Sequence, residues 1–295
     1  MTETAVAARD ELVHGLIDSC TTGDLDQLQT YLEQAQNFDS KTMPTPSYLL
    51  KIAFRKERTR RTYSLPLPRL TQISPIPAMI GSTDSIVCAA IEGTDPIAIF
   101  KVCMKYGISP EYNFERRYNL LGYCILARPE LAKFLLERGA NPNSCYTSAD
   151  NTMLSAAARA PTTDMINALV EHGARVKSSH AFQDAAEYRR ICNAERLLEL
   201  GADVNQVFKR TEYSPISHTD FYPREIVLGS ALHFAVKGEP VNYRVTDSPA
   251  DMVRYLLERG ARANIVDGDG KTALQLAKRA RMGDVKKVFE EYVDR

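Results

Sequence analysis

The sequence lacks the short motifs that mark a metal centre or an activated nucleophile. It contains no Cys-x-x-Cys, no His-x-x-x-His and no Gly-x-Ser-x-Gly pattern. It also lacks an excess of charge, because its 37 basic and 37 acidic residues cancel. A balanced chain has no general attraction to nucleic acid or to anionic membranes. We therefore expect no metal, no cofactor, no membrane association and no nucleic acid as the principal partner.

Long apolar runs and paired cysteines are also missing. No apolar stretch approaches the roughly 18–20 residues that a membrane-spanning helix needs. Residues 1–12 lack the basic region and apolar core of a secretory signal, and there is no Asn-x-Ser/Thr glycosylation site. We expect the six cysteines to be buried, reduced thiols, which favours the cytosol or the nucleus. They are Cys20, Cys88, Cys103, Cys124, Cys145 and Cys192.

What the sequence does contain is one phrase, repeated five times. Each copy is an apolar run with a few charges that closes on a glycine, at Gly107, Gly139, Gly173, Gly201 and Gly260. The steps between these glycines are 32, 34, 28 and 59 residues. A period of about 33 residues predicts stacked helix–turn–helix units, because one such unit is too small to bury its own apolar face.

The units also share an opening phrase. Residues 230–235 read Ser-Ala-Leu-His-Phe-Ala, residues 272–277 read Thr-Ala-Leu-Gln-Leu-Ala, and the best closing phrase, Gly-Ala-Asp-Val-Asn, occupies residues 201–205. With these phrases the sequence resembles the ankyrin repeat family over most of residues 8–36 and 83–295. The resemblance implies an all-α ankyrin-repeat solenoid of about seven helix–turn–helix units, forming a single domain over residues 1–295. It also implies that His233 bonds backbone groups of neighbouring units.

Physical chemistry assigns further roles inside each unit. The glycines lie just past a helix, where a left-handed backbone is needed and glycine has no Cβ to oppose it. First helices offer small residues that allow close approach: Ala89, Ala157, Ala185, Ala235 and Ala277. Second helices offer leucines that we expect to fill the core: Leu135, Leu136, Leu197, Leu198, Leu256 and Leu257.

Departures from the period predict irregular segments. Residues 37–82 contain six prolines in Pro-x-Pro pairs, and we expect this insertion to lie outside the helical stack. Its basic run at 55–61 is typical of a nuclear import signal or a phosphate-binding patch, but also of an ordinary solvated face. Residues 206–230 are predicted to form a long inserted loop. Phe182 lies only nine positions after Gly173, which predicts that the connecting hairpin is truncated or missing. A missing hairpin would leave a notch there.

Two functions fit this pattern. The first is a non-catalytic binding module that recognises a protein partner through hairpin tips and the concave face of the stack. Tyrosine and arginine anchor many interface centres, so the hairpin residues that combine them are the candidate contacts. These residues are Tyr112, Arg116, Arg117, Tyr118 and Tyr146.

The alternative is a small-molecule-binding protein or an enzyme built on the same repeats. Its pocket would lie between the 111–118 hairpin and the 206–230 loop. His218 or Asp220 would act as the acid or base, and Tyr222 would orient the ligand. The absence of a catalytic motif favours the binding module over this alternative.

Overall fold

The structure is a computed structural model that describes residues 3–37, 90–114, 118–144, 152–177, 179–215, 221–238 and 247–293. Most of these residues are helical, because each repeat contributes two short helices. The helices described in full are α1 (Glu3–Thr22), α2 (Leu25–Asn37), α3 (Pro96–Lys105), α4 (Leu120–Ala127), α5 (Pro129–Glu137), α6 (Met153–Ala158), α7 (Asp164–Glu171), α8 (Ala181–Glu187), α9 (Ile191–Glu199), α10 (Ala231–Lys237), α11 (Pro249–Glu258), α12 (Ala273–Arg279) and α13 (Gly283–Val293).

Strands are few. β1 (Asn113–Phe114) and β2 (Tyr118–Asn119) are two residues long, whereas β3 (Phe208–Pro215) and β4 (Phe221–Gly229) have eight and nine residues. The short helices and scarce strands confirm the prediction of an all-α repeat fold.

The chain divides into two compact units. The N-terminal unit consists of Met1–Arg116 and Glu130–Ala140, and the C-terminal unit consists of Arg117–Pro129 and Asn141–Arg295. Each unit has its own core of packed helices.

The core of the N-terminal unit is built from helices of the first repeats. α1 packs against α2, and α2 packs against α3. Leu28 and Leu32 lie four residues apart on one face of α2, and both are fully buried. Leu16 of α1 and Phe100 of α3 are buried as well. The opposite face of α2 is polar, which gives the helix one side in the core and one in water.

Alanines bring the first helices of the C-terminal unit close together. α8 packs against both α6 and α10, and α10 also packs against α12. Ala157, Ala185, Ala235 and Ala277 are each 0% exposed, as expected for small residues between closely packed helices. Ala89 lies outside the described residues.

The repeated glycines occupy the backbone conformation predicted for them. Gly107, Gly139, Gly173, Gly201 and Gly260 have φ angles between 88° and 94°, in the left-handed region. In each case the residue after the glycine donates its N–H to a helix carbonyl five positions back. This bond closes the end of the second helix, which explains why the phrase recurs with glycine in it.

The leucine pairs of the second helices are not all buried in the core as predicted. Leu135 and Leu136 are both buried, and Leu197 and Leu256 have 0% exposure. Leu198 and Leu257 are only partly buried, so their prediction as core residues was wrong. Adjacent helical residues point in directions about 100° apart, and in α9 and α11 only the first leucine of the pair faces the centre of the stack.

The segment predicted as a long loop, residues 206–230, is largely a β-hairpin. β3 and β4 pair in antiparallel register from Phe208 opposite Gly229 to Pro215 opposite Phe221, with an irregularity next to Phe208. The hairpin is anchored at its base, where the Gly268 N–H donates to the Val227 carbonyl at 2.8 Å. The prediction missed the strands because prolines and charged residues interrupt the apolar alternation that marks a strand.

The insertion at 37–82 lies outside the described residues, apart from Asn37 at the end of α2.

Of the cysteines, Cys20, Cys103 and Cys124 are buried free thiols, as predicted. Burial raises the pKa of the Cys124 thiol to about 12, so this thiol stays protonated and packs as a small apolar group. Cys192 is also free but exposed, which corrects the expectation that it is buried.

Candidate partner-binding surface

Two of the predicted contact residues, Tyr112 and Tyr118, lie close in sequence to the turn that follows α3. The Tyr112 N–H donates to the Ser109 carbonyl at 3.0 Å, and this turn leads into β1. Tyr112 is half-buried, and Tyr118 begins β2. The other three predicted contact residues, Arg116, Arg117 and Tyr146, lie outside the described residues.

The residues of the alternative pocket are only partly described. Tyr222 lies in β4, where the register places it opposite Ser214. His218 and Asp220 lie outside the described residues, so their role as acid or base stays a prediction.

The predicted notch after Gly173 is occupied by the chain itself. The Phe208 ring stacks on the His180 ring with 3.6 Å between centroids, and its centroid is 5.9 Å from that of Phe234. Phe208 is buried by these contacts. The start of β3 therefore covers the short connection between the repeats.

Asparagines of the closing phrase tie consecutive repeats together. The Asn143 amide nitrogen donates to the Gly173 carbonyl at 2.9 Å, and its amide oxygen accepts from the Arg175 N–H at 2.9 Å. Asn205 makes the same two kinds of bond to the repeat that follows it. The side chain thus satisfies one carbonyl and one N–H of the neighbouring repeat.

His233 has the structural role that the repeat resemblance implies. Its Nδ1 accepts from the Ser230 N–H at 3.1 Å, so its Nε2 carries the proton and donates to the Lys271 carbonyl at 3.0 Å. The side chain is 1% exposed, and burial lowers its pKa, although the Lys271 carbonyl and the Asp267 carboxylate oppose this shift. His233 therefore holds two repeats together as a neutral imidazole.

A buried ion pair links α6 to α8, and sequence analysis did not single it out. The Arg159 guanidinium donates to one Asp184 carboxylate oxygen from Nε at 3.0 Å and from Nη2 at 2.7 Å. Burial raises the pKa of Asp184, and the charge and hydrogen bonds of Arg159 oppose this shift. The Arg159 guanidinium also lies 5.2 Å from the centroid of the Tyr188 ring. A charged residue inside the apolar run at 181–186 was the signal for this pair.

The second helices of the C-terminal unit are joined by polar contacts along their outer face, and these contacts are exposed or partly buried. Each contact connects neighbouring second helices rather than residues of one helix. The contacts are Arg196 to Asn167 at 2.7 Å, Arg259 to Glu195 at 3.0 Å, and Arg254 to Glu291 at 3.8 Å. Much of the charge on this face is therefore already matched within the protein.

The described part of the chain has neither a metal-binding cluster nor a helix that could cross a membrane. It holds no group of three or more His, Cys, Asp or Glu side chains placed to bind a metal ion. None of its helices combines the length and the apolarity that crossing a membrane requires.

Comparison with known proteins agrees with this architecture. The family model for ankyrin repeats matches residues 120–207, in three copies. Among solved structures, the crystal structure of the ankyrin repeat protein EF0377 is similar, with a TM-score of 0.52 and 20% sequence identity. The similarity covers 70% of this chain and 96% of that one. No curated protein sequence matches significantly. Ankyrin repeats are generally protein-interaction modules. This chain has the all-α ankyrin-repeat fold, and its residues 120–207 match the ankyrin-repeat family model.

Proposed function

We propose that this protein is a binding module that recognises a protein partner through its hairpin tips and the concave face of its repeats. The observation that carries the proposal is the use of polar side chains in the C-terminal unit. Asn143, Asn205 and His233 bond neighbouring repeats, so they serve the scaffold rather than a reaction. A rigid scaffold with variable tips is well suited to protein recognition, because little order has to be gained on binding.

The hairpin after α3 and the one that contains Tyr146 are the proposed contact points. Tyr112 is half-buried, so part of its side chain is held by the protein and part remains accessible. A tyrosine fixed in this way loses little rotamer freedom when a partner covers it. Arg116 and Arg117 would contribute charge to the contact with the partner, and Tyr118 and Tyr146 would contribute further aromatic groups.

Site-specific photo-crosslinking in cells tests the proposal. Benzoylphenylalanine at position 112 or 146 is expected to give a discrete protein adduct, identified by mass spectrometry. The same group at position 258 is the matched control, because Glu258 is exposed at the end of α11, on a second helix. Equal labelling at all three positions, or no adduct at 112 and 146, would contradict the proposed surface.

The affinity of the captured partner gives the second measurement. Arg116→Ala is expected to weaken binding by about 2 kcal/mol, as removal of an interface anchor does. Tyr112→Ala is a less clean variant, because it also removes packing from a half-buried position. Arg254→Ala, on the outer face next to Glu291, is the control and is expected to change binding by less than about 0.5 kcal/mol.

A further inference from the structure

Arg189 has a backbone conformation that arginine rarely adopts. It lies between α8 and α9 with φ of 53°, in the left-handed region. The turn is closed by the Arg190 N–H, which donates to the Ala185 carbonyl at 2.8 Å. In the first repeat the corresponding turn between α1 and α2 contains Gly23, with φ of 77°. Glycine is the usual residue in this position because a Cβ is unfavourable there, so arginine carries a steric cost.

The Arg189 guanidinium also makes few hydrogen bonds in the structure. Nη2 donates to the Gly238 carbonyl at 3.3 Å, whereas Nε is buried and has no acceptor. Burial lowers the pKa of this guanidinium. Among the described residues, no carboxylate lies within 4.0 Å of it. Arg159, in the neighbouring repeat, has the Asp184 carboxylate at 2.7 Å. Arg159 therefore has an acidic partner among the described residues, whereas Arg189 does not.

The surroundings of Arg189 contain charged residues of both signs. Arg190 follows it, and the Arg190 Nε donates to the Arg159 carbonyl at 3.3 Å. The turn region of these two repeats therefore holds three guanidinium groups together with the carboxylates of Asp184 and Glu187, and Arg159 pairs with Asp184. This turn keeps an arginine where glycine would fit, with a buried Nε that has no acceptor and, among the described residues, no carboxylate beside it. That combination points to an interaction of the side chain with a group outside the repeats.

We propose that Arg189 is a recognition residue for an acidic peptide segment of the protein partner. A carboxylate from that segment would accept hydrogen bonds from Nε and Nη2 together, a planar pairing that arginine makes and lysine cannot. The side chain turns outward to do so, and it gains an acceptor for Nε and a counter-ion in the same step. This inference rests on the proposed function, since it names the chemistry of the protein partner.

Fluorescence anisotropy with a fluorescein-labelled octaglutamate peptide, at low ionic strength, provides the test. Arg189→Gly removes the charge and relieves the left-handed backbone, so it is expected to weaken peptide binding by about 10-fold while the Tm stays equal or rises. Arg281→Gly is the matched control. Arg281 occupies the corresponding turn between α12 and α13 with φ of 57° and is exposed, so its Tm should respond in the same way. Its peptide affinity should stay within about 2-fold of wild type.

Four results would overturn the inference. The first is unchanged peptide binding by Arg189→Gly, and the second is no binding of the wild type at millimolar peptide. The third is displacement of the peptide by inorganic phosphate at a lower concentration than by free glutamate. The fourth is a lower Tm for Arg189→Gly than for wild type. The third result would assign the site to phosphate, and the fourth would show that the guanidinium has an internal partner. If the peptide fails while crosslinking at position 112 still captures a protein, only this inference falls. If both fail, the proposed function falls with it.

Discussion

The Asn205 side chain donates a hydrogen bond to the Gly260 carbonyl oxygen at 3.2 Å, across a separation of 55 residues. Its amide oxygen accepts from the Arg262 N–H at 2.8 Å. The β3–β4 hairpin and residues 239–246 lie between these partners in the sequence. The bond is nevertheless the same one that Asn143 makes to a repeat only 30 residues away. Inserted segments therefore leave the junction between repeats intact.

Asn205→Ala tests this junction. The variant loses two hydrogen bonds, each with a net value of about 1 kcal/mol, so we expect a loss of about 1–2 kcal/mol in the free energy of unfolding. Asn264 occupies the same place in the closing phrase of the last such repeat, and it is exposed. Asn264→Ala should change the free energy of unfolding by less than about 0.5 kcal/mol. Urea denaturation of both variants gives the comparison, and equal losses would argue against a role for the Asn205 bonds.

Leu197 and Leu198 are adjacent residues with opposite environments. Leu197 has 0% exposure and Leu198 is partly exposed, so Leu197→Ala leaves a cavity and Leu198→Ala does not. We expect a loss of about 2–5 kcal/mol for Leu197→Ala and about 1 kcal/mol or less for Leu198→Ala. Chemical denaturation followed by circular dichroism measures both. A larger loss for Leu198→Ala would mean that the helix is rotated relative to the structure.

His233 makes the stability of the protein depend on pH. Burial lowers its pKa in the folded state, so below about pH 6.5 the unfolded chain takes up the proton first. Stability is therefore expected to fall as the pH drops from about 6.5 toward the folded pKa. His233→Gln is a suitable comparison, since Gln183 occupies the same position of an earlier repeat and donates to the Gln206 carbonyl at 3.0 Å.

The free energy of unfolding should be measured for wild type and His233→Gln between about pH 7.5 and 5. We expect the variant to be less stable at neutral pH by about 1 kcal/mol, because it loses favourable hydrogen-bond geometry. Its stability should fall less steeply with acid than that of wild type. The remaining histidines are present in both proteins, so the difference between the two slopes belongs to position 233. Parallel slopes would show that protonation of His233 is not coupled to unfolding.

Removing one member of the Arg159–Asp184 pair should destabilise the protein strongly, whereas replacing both members with apolar residues should destabilise it little. Asp184→Ala leaves a largely buried guanidinium without its partner, so we expect a loss of about 2–3 kcal/mol. The double variant Arg159→Met, Asp184→Leu removes both charges and should recover to within about 1 kcal/mol of wild type. Thermal and urea denaturation of the single and double variants measure the coupling. Additive losses in the double variant would show that the two side chains act independently.

The repeat period, the glycine caps and the role of His233 could all be predicted from the sequence. Each depends on contacts that are local or that recur at a fixed interval. Gly201, for example, needs only to follow α9 to require its left-handed backbone. The small residues of the first helices were predictable for the same reason, since every repeat places them against the next one.

Other features depended on contacts that no local pattern encodes. Leu197 and Leu198 are chemically identical, and only the rotation of α9 in the stack decides which one is buried. Phe208 covers His180 because an inserted hairpin starts beside a shortened connection, and the two irregularities are 28 residues apart in the sequence. The buried Arg159–Asp184 pair and the unmatched Arg189 likewise became visible only when neighbouring repeats were placed together.

The sequence by itself determined the helical repeat, because stacking units of one size requires the same residue types at the same interval. Tertiary structure decided which irregular segments fill space and which charges find a partner. Those outcomes depend on distances between residues that are far apart in the chain. They also depend on burial, because a buried polar or charged group without a partner lowers the stability of the fold. Arg159 and Arg189 follow first helices of adjacent repeats, yet among the described residues a carboxylate pairs with Arg159, at 2.7 Å, and none pairs with Arg189.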